Sequence, residues 1–162
     1  MAERMSKVFK KSFEVRWDDV DLNGHLRNTR YLEYASTARL SRLAEAGWGV
    51  RALQKEGFTI VMLGEEVAYL REVFLAERVS VSCEVVGLSA DGSRWRIRHS
   101  IFRENGEEAA VVRALGAWID IRARKITAPP SGIRAALEAD RSDDFEVIGV
   151  PPRRTVEAGA QG

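Results

Sequence analysis

The chain is poor in the residues that make staples and metal sites: one cysteine, Cys83, and two histidines, His25 and His99, among 162 residues. A lone cysteine forms no internal disulfide and cannot build a structural zinc site, so the fold must rest on its core. An excess of one charge is also lacking. With 25 Lys and Arg against 24 Asp and Glu the net charge is +1, which supplies none of the broad positive field that draws proteins to nucleic acid or anionic membrane. No run approaches the roughly 18 apolar residues of a membrane span, and Met1–Lys11 is polar, without the apolar centre of a secretory signal. These absences predict one domain in the reducing cytoplasm, with neither nucleic acid nor membrane as partner.

What is present is strong periodicity. Phe9 to Asp18 alternates, with Phe9, Phe13, Val15 and Trp17 on one face, and reads as a half-buried strand. Asn28 to Ala46, bounded by a good N-cap residue and by Gly47, reads as a helix of about five turns, its Leu32, Ala35, Ala38, Leu43 and Ala46 forming a stripe. Its alanines would let a sheet approach closely. A shorter helix is expected over Val50 to Glu56. The rest is β in character: Phe58 to Val73, Arg78 to Leu88, Arg94 to Arg103 and Glu108 to Arg124. The last three are joined by hairpins at Asp91-Gly92 and Asn105-Gly106. In Arg94 to Arg103, Trp95, Ile97, His99 and Ile101 share a face opposite Arg94, Arg96 and Arg98. Pro129-Pro130 ends the sheet and Ser131 to about Asp140 reads as a short helix. The prediction is α+β, with a polar extension over residues 1–7, the domain over 8–140 and a loose tail over 141–162.

Two short motifs fail in context. Asp19-Val20-Asp21-Leu22-Asn23-Gly24 matches the first half of a calcium loop, but its twelfth position is Arg30, which replaces two ligand oxygens with a positive charge. Gly47-Trp48-Gly49-Val50-Arg51-Ala52 follows a helix, whereas a dinucleotide-binding turn follows a strand. The sequence has neither a G-x-S-x-G elbow nor H-E-x-x-H. No metal and no cofactor is expected.

The chemistry concentrates in Asp21-x-Asn23-x-His25, followed by Asn28 and Tyr31 at the start of the long helix. A helix N-terminus offers unpaired N–H groups and a partial positive charge, suited to an oxyanion, and a carboxylate just ahead of it can serve as base or nucleophile. His25 or Asn23 would orient it or hold water. The same residues also suit a plain tight turn, with Asn28 as a cap, and residue chemistry alone leaves both readings open. Asp18 and Asp19 read as solvated or turn-forming, and His99 as a satisfied core or interface histidine.

Residues 15–34, VRWDDVDLNGHLRNTRYLEY, resemble the signature of hotdog-fold acyl-CoA thioesterases of the 4-hydroxybenzoyl-CoA thioesterase type, D-x-D-x-x-G-H-V-N-N-x-x-Y opening a long helix. The order of elements agrees over roughly residues 8–140, and Tyr69-Leu70-Arg71 resembles the family's Y-L-R-P, with Glu72 in place of the proline. The resemblance implies a long helix wrapped by a five-stranded antiparallel sheet, assembled as a homodimer or a dimer of dimers, acting on an acyl-CoA without a cofactor. It implies that Asp21 is nucleophile or general base and that the amide near Asn28 polarises the thioester carbonyl. It places Gly24, Trp17 and Tyr31 against the substrate. Similarity to plant acyl-ACP thioesterases gives Asn23 and His25 supporting roles. Arg27 departs from the first Asn of the family pair, and Asn28 and Trp17 stand where the Tol-Pal-associated bacterial members have His and Tyr. Arg94, Arg96, Arg98 and Arg124 are the candidates for holding CoA phosphates. The rivals are a hotdog-fold enoyl-CoA hydratase, whose Asp-x-Asn-x-x-His has one residue more between Asp and His, and a non-catalytic acyl-binding module.

Overall fold

The computed structural model describes residues 8–150, so the expected extension over 1–7 lies outside the described residues, as does 151–162. Strand β1 (Phe9–Glu14) leads through a loop to α1 (Asn28–Glu45) and α2 (Val50–Glu56), followed by β2 (Phe58–Tyr69), β3 (Arg78–Ser89), β4 (Arg94–Arg103), β5 (Glu108–Asp120), β6 (Lys125–Ile126), α3 (Ser131–Ala139) and β7 (Arg141–Ile148). The principal path across the sheet is β1-β3-β4-β5-β2, antiparallel throughout. This is the hotdog fold: α1 lies in the hollow of a curled sheet. Tyr31, Tyr34, Ala35, Ala38 and Leu43 are buried along α1, Ala35 and Ala38 completely, which allows the backbones of helix and sheet to come close.

The β3–β4–β5 meander follows its turns. Gly92 and Gly106 sit at φ +74° and +86°, where a side chain is strained. Trp95, Ile97, His99 and Ile101 all face inward and are buried. Trp95 lies flat over Gly116, its cross-strand partner on β5, so closely that a Cβ there would come within 2.2 Å of the indole.

Several boundaries differ from expectation, each for a local reason. β1 stops at Glu14 because Asp19 accepts the Arg16 N–H at 3.0 Å and curls residues 17–19 into a 3-10 turn. Trp17, assigned to the buried face, is thereby thrown outward and is 78% exposed. The strand from Phe58 ends at Tyr69 rather than Val73. β5 ends at Asp120, whose carboxylate takes the N–H groups of Arg122 and Ala123 and turns the chain into β6. The N-cap of α1 is Arg27 rather than Asn28, and it makes no side-chain cap bond.

The largest correction concerns the expected loose tail from residue 141 and the end of the sheet at Pro129-Pro130. Residues 141–148 are β7, parallel to β3, with Gly87 paired to Glu146 and Ser89 to Ile148. β1 covers β3 only from Arg78 to Cys83, and β7 covers the edge beyond. Asp144 anchors it to Arg98 of β4 at 2.6 Å. Among the described residues no helix is long and apolar enough to cross a membrane.

Candidate active site

The loop from β1 to α1 folds around Asp21. Its backbone N–H donates to the His25 carbonyl at 2.9 Å, its carbonyl accepts the Gly24 N–H at 3.0 Å, and Gly24 closes the turn at φ +75°. Oδ1 of Asp21 accepts the N–H groups of Asn23 at 2.8 Å and His25 at 3.2 Å. Oδ2 has no hydrogen bond among the described residues, so one oxygen is fixed and the other is exposed to solvent.

A second segment, the β2–β3 connection, packs against this loop. Leu26 N–H donates to the Val73 carbonyl at 2.7 Å, and His25 pairs with Phe74 as an isolated bridge, its ring edge-on to Phe74 at 4.9 Å. His25 Nε2 stands 3.5 Å from a carboxylate oxygen of Glu72. Tyr69 donates its hydroxyl to the Asn28 carbonyl at 3.0 Å and meets the Tyr31 ring at 5.2 Å. Burial, with smaller contributions from Tyr69, Glu72 and Glu77, pushes the buried Tyr31 phenol up to about 12. It therefore stays protonated as a donor.

The result is an open cleft at the N-terminus of α1, lined by Asp21, His25, Asn28 and Tyr31 from one side and by Tyr69 to Glu72 from the other. Of the sequence candidates, Asn23 and Gly24 shape the turn without lining the cleft, and the exposed Trp17 lies outside its lining. Tyr69, Leu70, Arg71 and Glu72 were absent from the candidate site residues. Their signal was there in the Tyr69-Leu70-Arg71 match, but only the fold brings that segment to Asp21.

The support beneath the loop is Asp19, 6% exposed, which was expected to be solvated or turn-forming. Its carboxylate accepts the Tyr34 hydroxyl at 2.8 Å and the Arg16 N–H, and pairs with Arg30 Nε at 3.1 Å. The loop before α1 is thus tied to the helix core two residues from Asp21. Cys83 is buried, and burial pushes its thiol to about 12, so it is no competing nucleophile. His99 is a satisfied core histidine: Nδ1 meets the Ser82 carbonyl at 2.9 Å and Nε2 meets Arg39 at 3.1 Å. Among the described residues no cluster of His, Cys, Asp and Glu is placed to hold a metal ion.

The phosphate candidates fare unevenly. Arg94, Arg96 and Arg98 lie on the side of β4 opposite its buried face, and Arg98 is taken by Asp144 and by Glu84 at 3.3 Å. Arg124 sits in the β5–β6 turn at φ +53°. The guanidinium at the cleft itself is Arg71, which donates to the Glu108 carbonyl at 3.0 Å.

A curled sheet around one long helix, with a carboxylate loop ahead of that helix, defines a thioesterase-like architecture. The chain belongs to the thioesterase-like superfamily, whose family model matches residues 15–137. It is 28% identical over 146 residues to the betainyl-CoA thioesterase of Pseudomonas aeruginosa, covering 83% of this chain and 90% of that one. It is 29% identical over 121 residues, or 74% of its length, to the L-carnitine dehydrogenase/betainyl-CoA thioesterase of Agrobacterium fabrum, of which it spans only 24%. Among solved structures, a hypothetical protein of Staphylococcus aureus in complex with CoA superposes with a TM-score of 0.77 at 19% identity, covering 89% of both chains.

Proposed function

We propose that the chain hydrolyses an acyl-CoA thioester to the free acid and CoA, with Asp21 as the group that delivers the attack. The observation that carries this is the carboxylate of Asp21, with one oxygen fixed by two backbone N–H groups and the other free, at the mouth of the cleft that holds the start of α1. As general base, Oδ2 takes a proton from water while the water oxygen bonds to the thioester carbon. Charge developing on the carbonyl oxygen is met by the N–H groups of Asn28 and Thr29 at the start of α1, since the Arg27 cap offers them no side-chain acceptor while its carbonyl takes only the Arg30 N–H at 2.9 Å. The C–S bond then breaks, and the thiolate of CoA takes the proton from Asp21. As nucleophile, Oδ2 would attack the carbon directly, the C–S bond breaking to release CoA as its thiolate, and water would then hydrolyse the resulting anhydride to the free acid and the Asp21 carboxylate. Asn23 and His25 act by fixing Asp21 through their backbone N–H groups, and no step calls on a cofactor.

Assembly as a homodimer or dimer of dimers, and a cytoplasmic location, belong to the same reading. The open edge of β2, with Met62 37% and Leu63 46% exposed, supports assembly.

The test is thiol release from a panel of acyl-CoAs, betainyl-CoA included, beside hydration of crotonyl-CoA. Asp21→Asn keeps an oxygen for the Asn23 and His25 N–H groups while removing the base. Cleavage should fall by about two to four orders of magnitude with an unchanged melting temperature. Undiminished cleavage in the folded variant rejects the role of Asp21. Hydration without cleavage selects the hydratase, and acyl-CoA binding without turnover the non-catalytic module.

A further inference from the structure

α1 and β2 run side by side, and the Asp21 cleft occupies only one end of their seam, where Tyr31 meets Tyr69. At the other end, about 12 Å further along the helix at 1.5 Å per residue, Arg39 reaches Met62. There an open groove of about 420 Å³ lies between α1, α2 and β2, walled by Leu40, Val50, Phe58, Ile60, Met62 and Ile121. The narrow cavity that Arg39 also lines, about 20 Å³, has room for roughly one water and no acyl group.

Arg39 is part of the groove's lining and is 94% buried, being 6% exposed. Its partners are all neutral. Nη1 donates to His99 Nε2 at 3.1 Å and Nη2 to Ser36 Oγ at 3.2 Å, and the Trp95 ring lies 5.3 Å away. An arginine only donates, so Nε2 of His99 is an acceptor, and its proton sits on Nδ1 facing the Ser82 carbonyl. No carboxylate among the described residues comes within ion-pair distance of Arg39, and Glu65 attracts it only from farther off. A buried charge without a counter-charge is costly, and a guanidinium is shaped to take a carboxylate with two parallel bonds.

We propose that this groove receives the far end of the acyl group and that Arg39 selects acyl groups ending in a carboxylate. The proposal rests on the thioesterase reading above. The acyl chain reaches the groove either from the Asp21 cleft of the same chain, which calls for a long chain, or from that of a second copy, which allows a short one. Glutaryl-CoA and dodecanedioyl-CoA separate these two routes. In both, a cationic acyl group faces a like charge.

The experiment compares kcat/KM for glutaryl-CoA and dodecanedioyl-CoA with butyryl-CoA, lauroyl-CoA and cationic betainyl-CoA, in wild type, Arg39→Met and Arg39→Lys. Wild type should favour one of the two ω-carboxyacyl substrates over its neutral counterpart by about ten- to hundred-fold. Arg39→Met should bring that ratio to about one, while Arg39→Lys retains part of it. Preference for neutral or cationic acyl groups, or a ratio unmoved by Arg39→Met, overturns the proposal. Arg39→Met removes the donor to His99 Nε2, and Arg39→Lys keeps the test open should Arg39→Met fail to fold. Free glutarate and dodecanedioate supply a second readout: at least one should raise the melting temperature of wild type but not of Arg39→Met. Absence of thiol release from every acyl-CoA, with that stabilisation intact, would sink the thioesterase reading and leave the carboxylate site standing.

Discussion

Removing the carboxylate of Asp19 should destabilise the fold more than any other change in the loop before α1. Three groups converge on it: the Arg16 N–H at 3.0 Å, the Tyr34 hydroxyl at 2.8 Å and Arg30 Nε at 3.1 Å. The two hydrogen bonds to this charged acceptor contribute about 1.5–3 kcal/mol each, but they share one oxygen, and the carboxylate is shared with the Arg30 ion pair, so the contributions are not additive. Taking one member out of a buried charged cluster costs about 3–5 kcal/mol, so Asp19→Ala should lower the melting temperature by about 6–20 °C at roughly 2–4 °C per kcal/mol. Asp19→Asn separates the contributions. Its oxygen can occupy the position of Oδ2, which serves both Arg16 and Tyr34, leaving only Arg30 opposite an amide donor. It should therefore lose less than half as much.

The pH dependence follows from the same contacts. Burial alone would raise the Asp19 pKa, but the Arg16 N–H, the Tyr34 hydroxyl and the Arg30 and Arg16 charges outweigh it and hold the group below 3.8. A carboxyl whose folded pKa is depressed stabilises the protein above its unfolded value, and that contribution fades as pH falls through the folded pKa. The gap between wild type and Asp19→Ala, read by thermal denaturation, should be full at pH 7 and narrow below about pH 4. An Asp19→Ala variant melting within about 2 °C of wild type, or less stable Asp19→Asn than Asp19→Ala, would refute the reasoning.

Gly116→Ala places a methyl 2.2 Å from the Trp95 ring on a buried strand. A loss of at least about 1–3 kcal/mol, measured by urea unfolding, is expected from the overpacking. Burial first, then the Arg39 charge, depress His99 to about 3, against a partial offset from the Ser82 carbonyl. Only the unfolded chain then binds a proton at that position below about pH 6.5, so stability should fall with acid at up to about 1.4 kcal/mol per pH unit between pH 6.5 and 3. NMR titration of wild type should show the His99 ring static from pH 8 to 5, and a His99 signal moving in that range would contradict the neutral core assignment.

The legible part of this protein was the part with local causes. The alternation in β3 and β4, the Asp91-Gly92 and Asn105-Gly106 turns and the α1 periodicity need only neighbouring residues, and each appears close to its expected place. At the site, Asp21, His25, Asn28 and Tyr31 could be named together because one short segment carries all four. Arg39 was illegible as a core residue because a charged side chain on a helix ordinarily faces water, and its partner His99 lies 60 positions away.

The sequence by itself determined the class of fold, the strand and helix periods, and the carboxylate loop at the head of a helix, since backbone preference and side-chain alternation act over a few residues. Only the tertiary structure decided which distant groups meet. Polar residues 141–148 become a strand because β1 leaves part of the β3 edge unpaired. Asp19 becomes buried because Tyr34 and Arg30 arrive to satisfy it. Tyr69 to Glu72 complete the cleft because β2 ends beside the start of α1. Desolvation and hydrogen-bond satisfaction depend on every neighbour in space, and for these residues the decisive neighbours lie far along the chain.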